Sequence, residues 1–404
     1  MERHFDDEGF EFDRLLLLGG CYRRLADVGE ILVTLDAIGD GDHEAWVREF
    51  AALGGRLRAQ AEASESAGHT ESASSAYLRA CTYYATASAH APGTSDPERY
   101  HSLWESHRGC WDRAVATFDP PVEKVPVPYE DTELEGYFFH ARPTPGADPG
   151  APRPLLILNN GSDGPVSDMW SSGAGAAIER GWHAFTFDGP GQGAALHRQS
   201  LYFRADWEAV IAPVVDYLVA RSDVDASRIA LAGVSQAGYW VPRALAFEHR
   251  IVAGVADPGV VRVGASWREH LPAPLAQLLD SGDREHFDEY MRAGLGSEPQ
   301  ALAELRWRMA PYGTDSFFDA YTAADAMTLD ADTLARIRCP VLIASPDHEQ
   351  FWPGQSVEMD AAIADSTLVE FTEAEGAAWH CEPAGRALRE ERICDWLAPL
   401  LDGP

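Results

Sequence analysis

The chain has 404 residues, 46% hydrophobic and 10% aromatic, which suffices to bury a large core and excludes a disordered protein. Its 64 acidic residues stand against 32 Lys and Arg, a formal net charge of −32, so nucleic acid and anionic membranes would be repelled over most of the surface. No run of 18 apolar residues occurs and the acidic start (Asp6, Asp7, Glu8, Glu11) lacks a signal-peptide layout, so a membrane span and export are not expected. Six scattered cysteines without C-x-x-C or metal-finger spacing fit inert thiols in a reducing cytoplasm and no metal.

In chain order, residues 1–120 are expected to form a helical domain. Leu15–Leu18, Trp46–Ala63 and Ala73–Ala89 carry apolar residues three and four apart, with turns at Gly39-Asp40-Gly41, Ala67-Gly68 and Ala91-Pro92-Gly93. The stretch from Leu57 to Ala89 resembles a tetratricopeptide helix pair, without a second copy, so these helices are expected to cover the rest of the chain or to form a dimer contact. Beta structure begins with Val122–Pro128 and Glu135–Ala141, an antiparallel pair turning at Glu130-Asp131. A Pro/Gly-rich loop, Pro143 to Pro154, then leads into the strand Pro154–Asn159. Strands and helices alternate from there, which predicts a mostly parallel α/β sheet with helices on both faces. Residues 121–257 form its first part and 336–404 its second. Residues 258–335 lack an obvious strand and read as a helical cap inserted over the sheet, carrying Trp267, Trp307, Met309, Tyr312, Phe317, Phe318 and Tyr321.

Within the sheet the most informative segment is Ile229–Gly238. An apolar strand ends in Gly233-Val234-Ser235-Gln236 and a helix follows, so Ser235 is held out on a bend whose neighbours must be small. Ala237 stands where a second glycine is usual in G-x-S-x-G, and Gly238 follows it. The first amides of the new helix lack intrahelical acceptors and can stabilise an anion. Downstream, Asp347 lies two residues beyond the apolar strand Val341–Ser345, and His380 follows the strand Ser366–Glu370. Serine, acid and histidine therefore come in the α/β-hydrolase order, each at the carboxyl edge of one sheet. A serine hydroxyl needs an adjacent base, which His380 supplies, and the acid fixes the tautomer of that base. Asp347 is the expected acid, with Asp257 at the end of another strand as the alternative. The cluster Asp347-His348-Glu349 reads as one triad acid with polar neighbours rather than a metal site.

Two loops follow strands near this edge. Asn160-Gly161-Ser162-Asp163-Gly164 occupies the place of an oxyanion-hole segment, so the amide of Ser162, with Asp163 as the alternative, is expected to pair with that of Gln236. The glycine-rich Phe185–Gly193 lacks the lysine of a phosphate-binding loop and reads as a tight turn. Tyr239, Trp240, Trp379, Asp163 and the cap aromatics are substrate-binding candidates by position.

Three motifs together, Gly233–Arg243, Phe187-Asp188-Gly189-Pro190-Gly191-Gln192-Gly193 and Asp347-His348-Glu349-Gln350-Phe351-Trp352-Pro353, carry a resemblance. The chain resembles the α/β-hydrolase subgroup of 2,6-dihydroxypseudooxynicotine hydrolase and the polyketide-shortening hydrolases of fungal pigment pathways, over nearly its whole length. The resemblance implies a triad of Ser235, Asp347 and His380, no cofactor, a homodimer, and cleavage of a carbon–carbon bond next to a ketone. Residues and resemblance together predict a serine hydrolase acting on the carbonyl of a small molecule, an aromatic or polyketide-derived ketone or ester. Two alternatives stay open: an acyltransferase, cyclase or elimination catalyst using the same triad, and a non-catalytic binding protein.

Overall fold

The near-continuous apolar runs of the sequence become the middle strands of one eight-stranded sheet in the structure, a computed structural model that describes residues 3–143, 148 and 150–402. Part of the Pro/Gly-rich loop 143–154 lies outside the described residues. The strands are β1 (Glu123–Tyr129), β2 (Thr132–Phe139), β3 (Arg153–Asn159), β4 (His183–Phe187), β5 (Val224–Val234), β6 (Ala253–Asp257), β7 (Val341–Pro346) and β8 (Ser366–Phe371). They lie in the order β1-β2-β4-β3-β5-β6-β7-β8. The β1–β2 and β2–β4 pairs are antiparallel and every other pair is parallel. Ser235, Asp257, Asp347 and the loop after Asn159 therefore all leave the same edge.

Alternation along the strands divides the core between two faces, as a period of two requires. Leu155, Ile157, Ile229 and Leu231 face one apolar cluster, closed by the helices Glu208–Val219 and Ala237–Leu245. Leu156, Leu158 and Ala230 face the other, closed by the helix Arg386–Leu401 and by residues of the N-terminal helices. Those helices are α1 (Glu8–Gly20), α2 (Val28–Leu35), α3 (His43–Ser66), α4 (Thr70–His90) and α5 (Arg99–Val115). Asp7, Asp27 and Asp42 cap α1, α2 and α3 by accepting from their first amides. Trp46, Phe50, Tyr83 and Trp111, all fully buried, belong to the same continuous cluster as Leu156 and Leu158. The N-terminal helices thus share a core with the sheet. A buried ion pair reinforces the junction: the Arg108 guanidinium of α5 lies 2.6 Å from the carboxylate of Asp188, with both side chains at most 2% exposed.

Between β6 and β7 lie the helices Gly264–Arg268, Ala273–Ser281, Arg284–Leu295, Pro299–Met309 and Phe317–Ala326. Leu279, Phe287, Met291, Met309, Phe317, Ala320 and Tyr321 form a separate small core, against which Trp267 and Phe318 pack. Among the described residues no helix is long and apolar enough to cross a membrane.

The turn at Ser235 shows why its neighbours are small. Ser235 takes φ of 60°, a left-handed conformation costly for a residue with a Cβ. Its amide donates to Asp257 O at 2.6 Å, and the amide of Gly238 donates back to Ser235 O at 2.8 Å. Ala237 is completely buried at the usual second-glycine position. The stricter demand falls one residue later, since a Cβ on Gly238 would stand 1.8 Å from the carbonyl oxygen of Pro258. Gly238→Ala is expected to cost about 3 kcal/mol of stability, at the upper end for overpacking, as measured by chemical denaturation.

Candidate active site

Ser235, at the end of β5, meets an imidazole from the loop after β8. His380 Nε2 lies 2.9 Å from Ser235 Oγ, and the histidine is 4% exposed. On the other side of the ring, Nδ1 lies 2.8 and 3.0 Å from the two carboxylate oxygens of Glu349. That carboxylate is itself held, because Glu349 Oε1 accepts from the amides of Phe351 and Trp352 at 3.0 and 3.1 Å. The amide of His380 donates to Gln350 Oε1 at 2.9 Å, so adjacent residues of one loop grip both ends of the histidine.

The carboxylate against His380 is therefore Glu349, which corrects the expectation of Asp347. Two tertiary contacts cause the change. Immediately past β7 the chain is tied back to the chain after β8: Asp347 is exposed, and its Oδ2 accepts from the amide of Glu373 at 3.0 Å. One residue on, the amide of His348 donates to Ala378 O at 2.7 Å in a parallel bridge between His348 and Trp379. The bridge sets the next residue of each strand, Glu349 and His380, side by side. The alternative acid is also elsewhere, since Asp257 Oδ2 accepts from Arg389 Nε.

Asp257 and Arg389 belong to a buried cluster behind the serine. The Arg389 guanidinium also stands 3.4 Å from Glu382 Oε2, and Asp257, Glu382 and Arg389 are at most 2% exposed. Burial, helped by the neighbouring Asp257 carboxylate, pushes the Glu382 carboxyl well above its usual range and so favours its neutral form. The Asp257 carbonyl receives the Ser235 amide at 2.6 Å and Cys381 Sγ at 3.3 Å. Backbone next to the serine and the side chain next to the histidine thus share one acceptor. Burial raises the Cys381 thiol well above its ordinary value, which keeps it an uncharged packing group.

The loop Asn160–Gly164 lies against the serine. A Cβ on Gly161 would be 2.7 Å from the Cβ of Ser235, a separation only glycine permits. The Gly161 amide is spent on Asn160 Oδ1 at 2.8 Å, whereas the amides of Ser162 and Gln236 have no acceptor among the described residues. The Asp163 carboxylate is exposed and accepts from Ser162 Oγ at 3.2 Å.

The remaining candidates divide. Tyr239 and Trp240 are 1% and 0% exposed in the apolar cluster under the sheet, which corrects their expected place in a pocket. Tyr239 donates its hydroxyl to Ala205 O at 2.9 Å and Trp240 stacks on Trp207 at 4.2 Å. The amphipathic helix after the elbow turns both inward. Trp379 remains partly exposed beside His380, with the guanidinium of Arg3 5.5 Å from its ring centre. Three further aromatic rings flank His380: Phe351 at 4.8 Å, Trp352 at 5.7 Å and Phe12 of α1 at 6.3 Å from its ring centre. Phe351 and Trp352 lie within the motif Asp347–Pro353, but nothing local in the sequence singles out Phe12, which only the docking of α1 brings to the histidine.

No protein-family model matches the chain. It is 29% identical to Hydrolase ORFZ of Pyricularia oryzae, covering 97% of this chain and 94% of that protein. It is 28% identical to 20-hydroxy-prefusarin hydrolase FUS2 of Gibberella moniliformis, covering 85% and 83%. Among solved structures, 2,6-dihydroxy-pseudo-oxynicotine hydrolase superposes with a TM-score of 0.73 at 19% identity over 95% of both chains. With the sheet topology, these likenesses make the chain an α/β-hydrolase that is similar in sequence to the two fungal hydrolases and in fold to the pseudo-oxynicotine hydrolase.

Proposed function

We propose that the chain is a serine hydrolase in which Ser235 is the nucleophile, His380 the general base and acid, and Glu349 the carboxylate that orients the histidine. The observation that carries this reading is the unbroken relay of 2.9 Å from Ser235 Oγ to His380 Nε2 and 2.8 Å from His380 Nδ1 to Glu349. Glu349 holds the proton on Nδ1, leaving the Nε2 lone pair facing the serine.

Ser235 Oγ attacks a substrate carbonyl carbon while its proton passes to His380 Nε2. The resulting oxyanion takes hydrogen bonds from the free amides of Gln236 and Ser162. As the carbonyl re-forms, the bond to the leaving group breaks, and that group leaves with the electron pair and takes the proton from His380. An ester leaves as an alkoxide and a β-dicarbonyl ketone as an enolate. Water, deprotonated by His380, then attacks the acyl-serine, and Ser235 departs with the proton, releasing a carboxylic acid. Aromatic rings around His380 suit a flat, conjugated ketone or ester, and relatives named as hydrolases of prefusarin and pseudo-oxynicotine compounds support that substrate class.

Intact mass after exposure to a fluorophosphonate tests the site. One adduct on the wild-type protein and none on Ser235→Ala is the expected result, and an unlabelled, folded wild-type protein would overturn the assignment. Turnover in ¹⁸O-labelled water of any ketone or ester found to react places one solvent oxygen in the acid if the reaction is hydrolysis. An unlabelled product would move the assignment to acyl transfer or elimination.

A further inference from the structure

The glycine-rich turn after β4 does more than connect two elements. Gln192, 3% exposed, sends its side chain across to the loop after β3. Its Nε2 donates to Asn160 O at 2.7 Å and to Gly161 O at 2.6 Å, while its Oε1 accepts from the amide of Gly189 at 2.9 Å. Two carbonyls on one end and an N–H on the other leave the side-chain amide a single orientation.

We infer that Gln192 is a positioning residue that aims the Ser162 amide at the reacting oxygen. The inference rests on the serine chemistry proposed above and adds a part to it. Gly161 C=O and Ser162 N–H belong to one planar, trans peptide unit, so holding the carbonyl fixes the opposite direction of the N–H. A hydrogen bond received by that carbonyl also polarises the unit and strengthens its N–H as a donor. The peptide lies at the nucleophile, as the 2.7 Å approach of a Cβ on Gly161 to Ser235 shows.

Gln192 is anchored in turn. Asp188, four residues earlier, accepts from the amide of Ala194 at 2.9 Å and is paired at 2.6 Å with Arg108 of α5. Buried polar contacts therefore run from the N-terminal helices through Asp188 and the glycine-rich turn to the loop beside the serine.

The test is saturation labelling by a fluorophosphonate of the full-length wild type, Gln192→Leu and Gln192→Glu, with circular dichroism confirming the folded fraction. The leucine removes the donor. The glutamate keeps the shape but turns a carboxylate oxygen toward two carbonyl oxygens, so it carries the test should the leucine variant not fold. Both are expected to lower the limiting rate of labelling roughly 10- to 100-fold while half-saturation stays within about twofold, because a donor aimed at developing charge acts in the transition state. A variant that is folded and labels at the wild-type limiting rate would overturn the inference. Labelling absent from the wild type would overturn the nucleophile assignment instead, so the two failures are distinguishable.

Discussion

Glu349→Ala is expected to lower the rate of serine acylation roughly 10³- to 10⁴-fold, the scale on which a triad carboxylate acts, while Asp347→Ala stays within about threefold of wild type. The asymmetry follows from contacts. Glu349 oxygens stand 2.8 and 3.0 Å from His380 Nδ1 and, in the proposed mechanism, fix the tautomer. Without them the proton is free to sit on Nε2, where it faces Ser235 Oγ and blocks proton acceptance. Asp347 bonds the Glu373 amide in an exposed position, so its loss leaves the relay intact and removes one surface hydrogen bond. Glu349→Asp falls between the two, because one missing methylene draws the carboxylate back from the ring. Fluorophosphonate labelling rates of the three variants decide the matter. A crippled Asp347→Ala beside an active Glu349→Ala would transfer the role back to the aspartate.

Removing the cation behind the serine is the second large effect. Arg389→Met is expected to cost about 3–5 kcal/mol of stability, measured by chemical denaturation, since breaking a buried ion pair from one side strands the other charge. Asp257 is fully buried, and the Arg389 guanidinium is the partner of its Oδ2. The companion variant separates charge from shape. Burial drives the Glu382 carboxyl toward its neutral form, which Glu382→Gln mimics, so that variant is expected to stay within about 1 kcal/mol of wild type. A Glu382→Gln protein as unstable as Arg389→Met would show that Glu382 is ionised. Because the Asp257 carbonyl receives both the Ser235 amide and Cys381 Sγ, damage to this cluster should also slow labelling of whatever Arg389→Met remains folded.

Much of the molecule could be read in its local patterns. Apolar runs such as Leu155–Leu158 and Ile229–Ala232 announce strands buried on two faces, and spacings of three and four in Trp46–Ala63 announce α3. The small residues Gly233, Ala237 and Gly238 mark the elbow because a tight turn excludes bulk within a few residues of itself, so Ser235 was legible before any fold was known. His380 followed from its place after a strand.

What stayed hidden depends on contacts between segments far apart in the chain. Asp347 and Glu349 are two carboxylates two residues apart, equal in chemistry, and the bridge from His348 to the loop before His380 decides which one meets the imidazole. Tyr239 and Trp240 resemble pocket residues by nearness to Ser235, yet the direction of their helix buries them, while Phe12, more than 200 residues away in sequence, stands beside His380. Gln192 reads as part of a turn until the loop of Gly161 is laid against it. Short-range sterics and periodicity act through neighbouring residues and are written in composition and spacing. Which carboxylate, ring or amide reaches a given atom depends on loop paths and packing angles that only the assembled core determines.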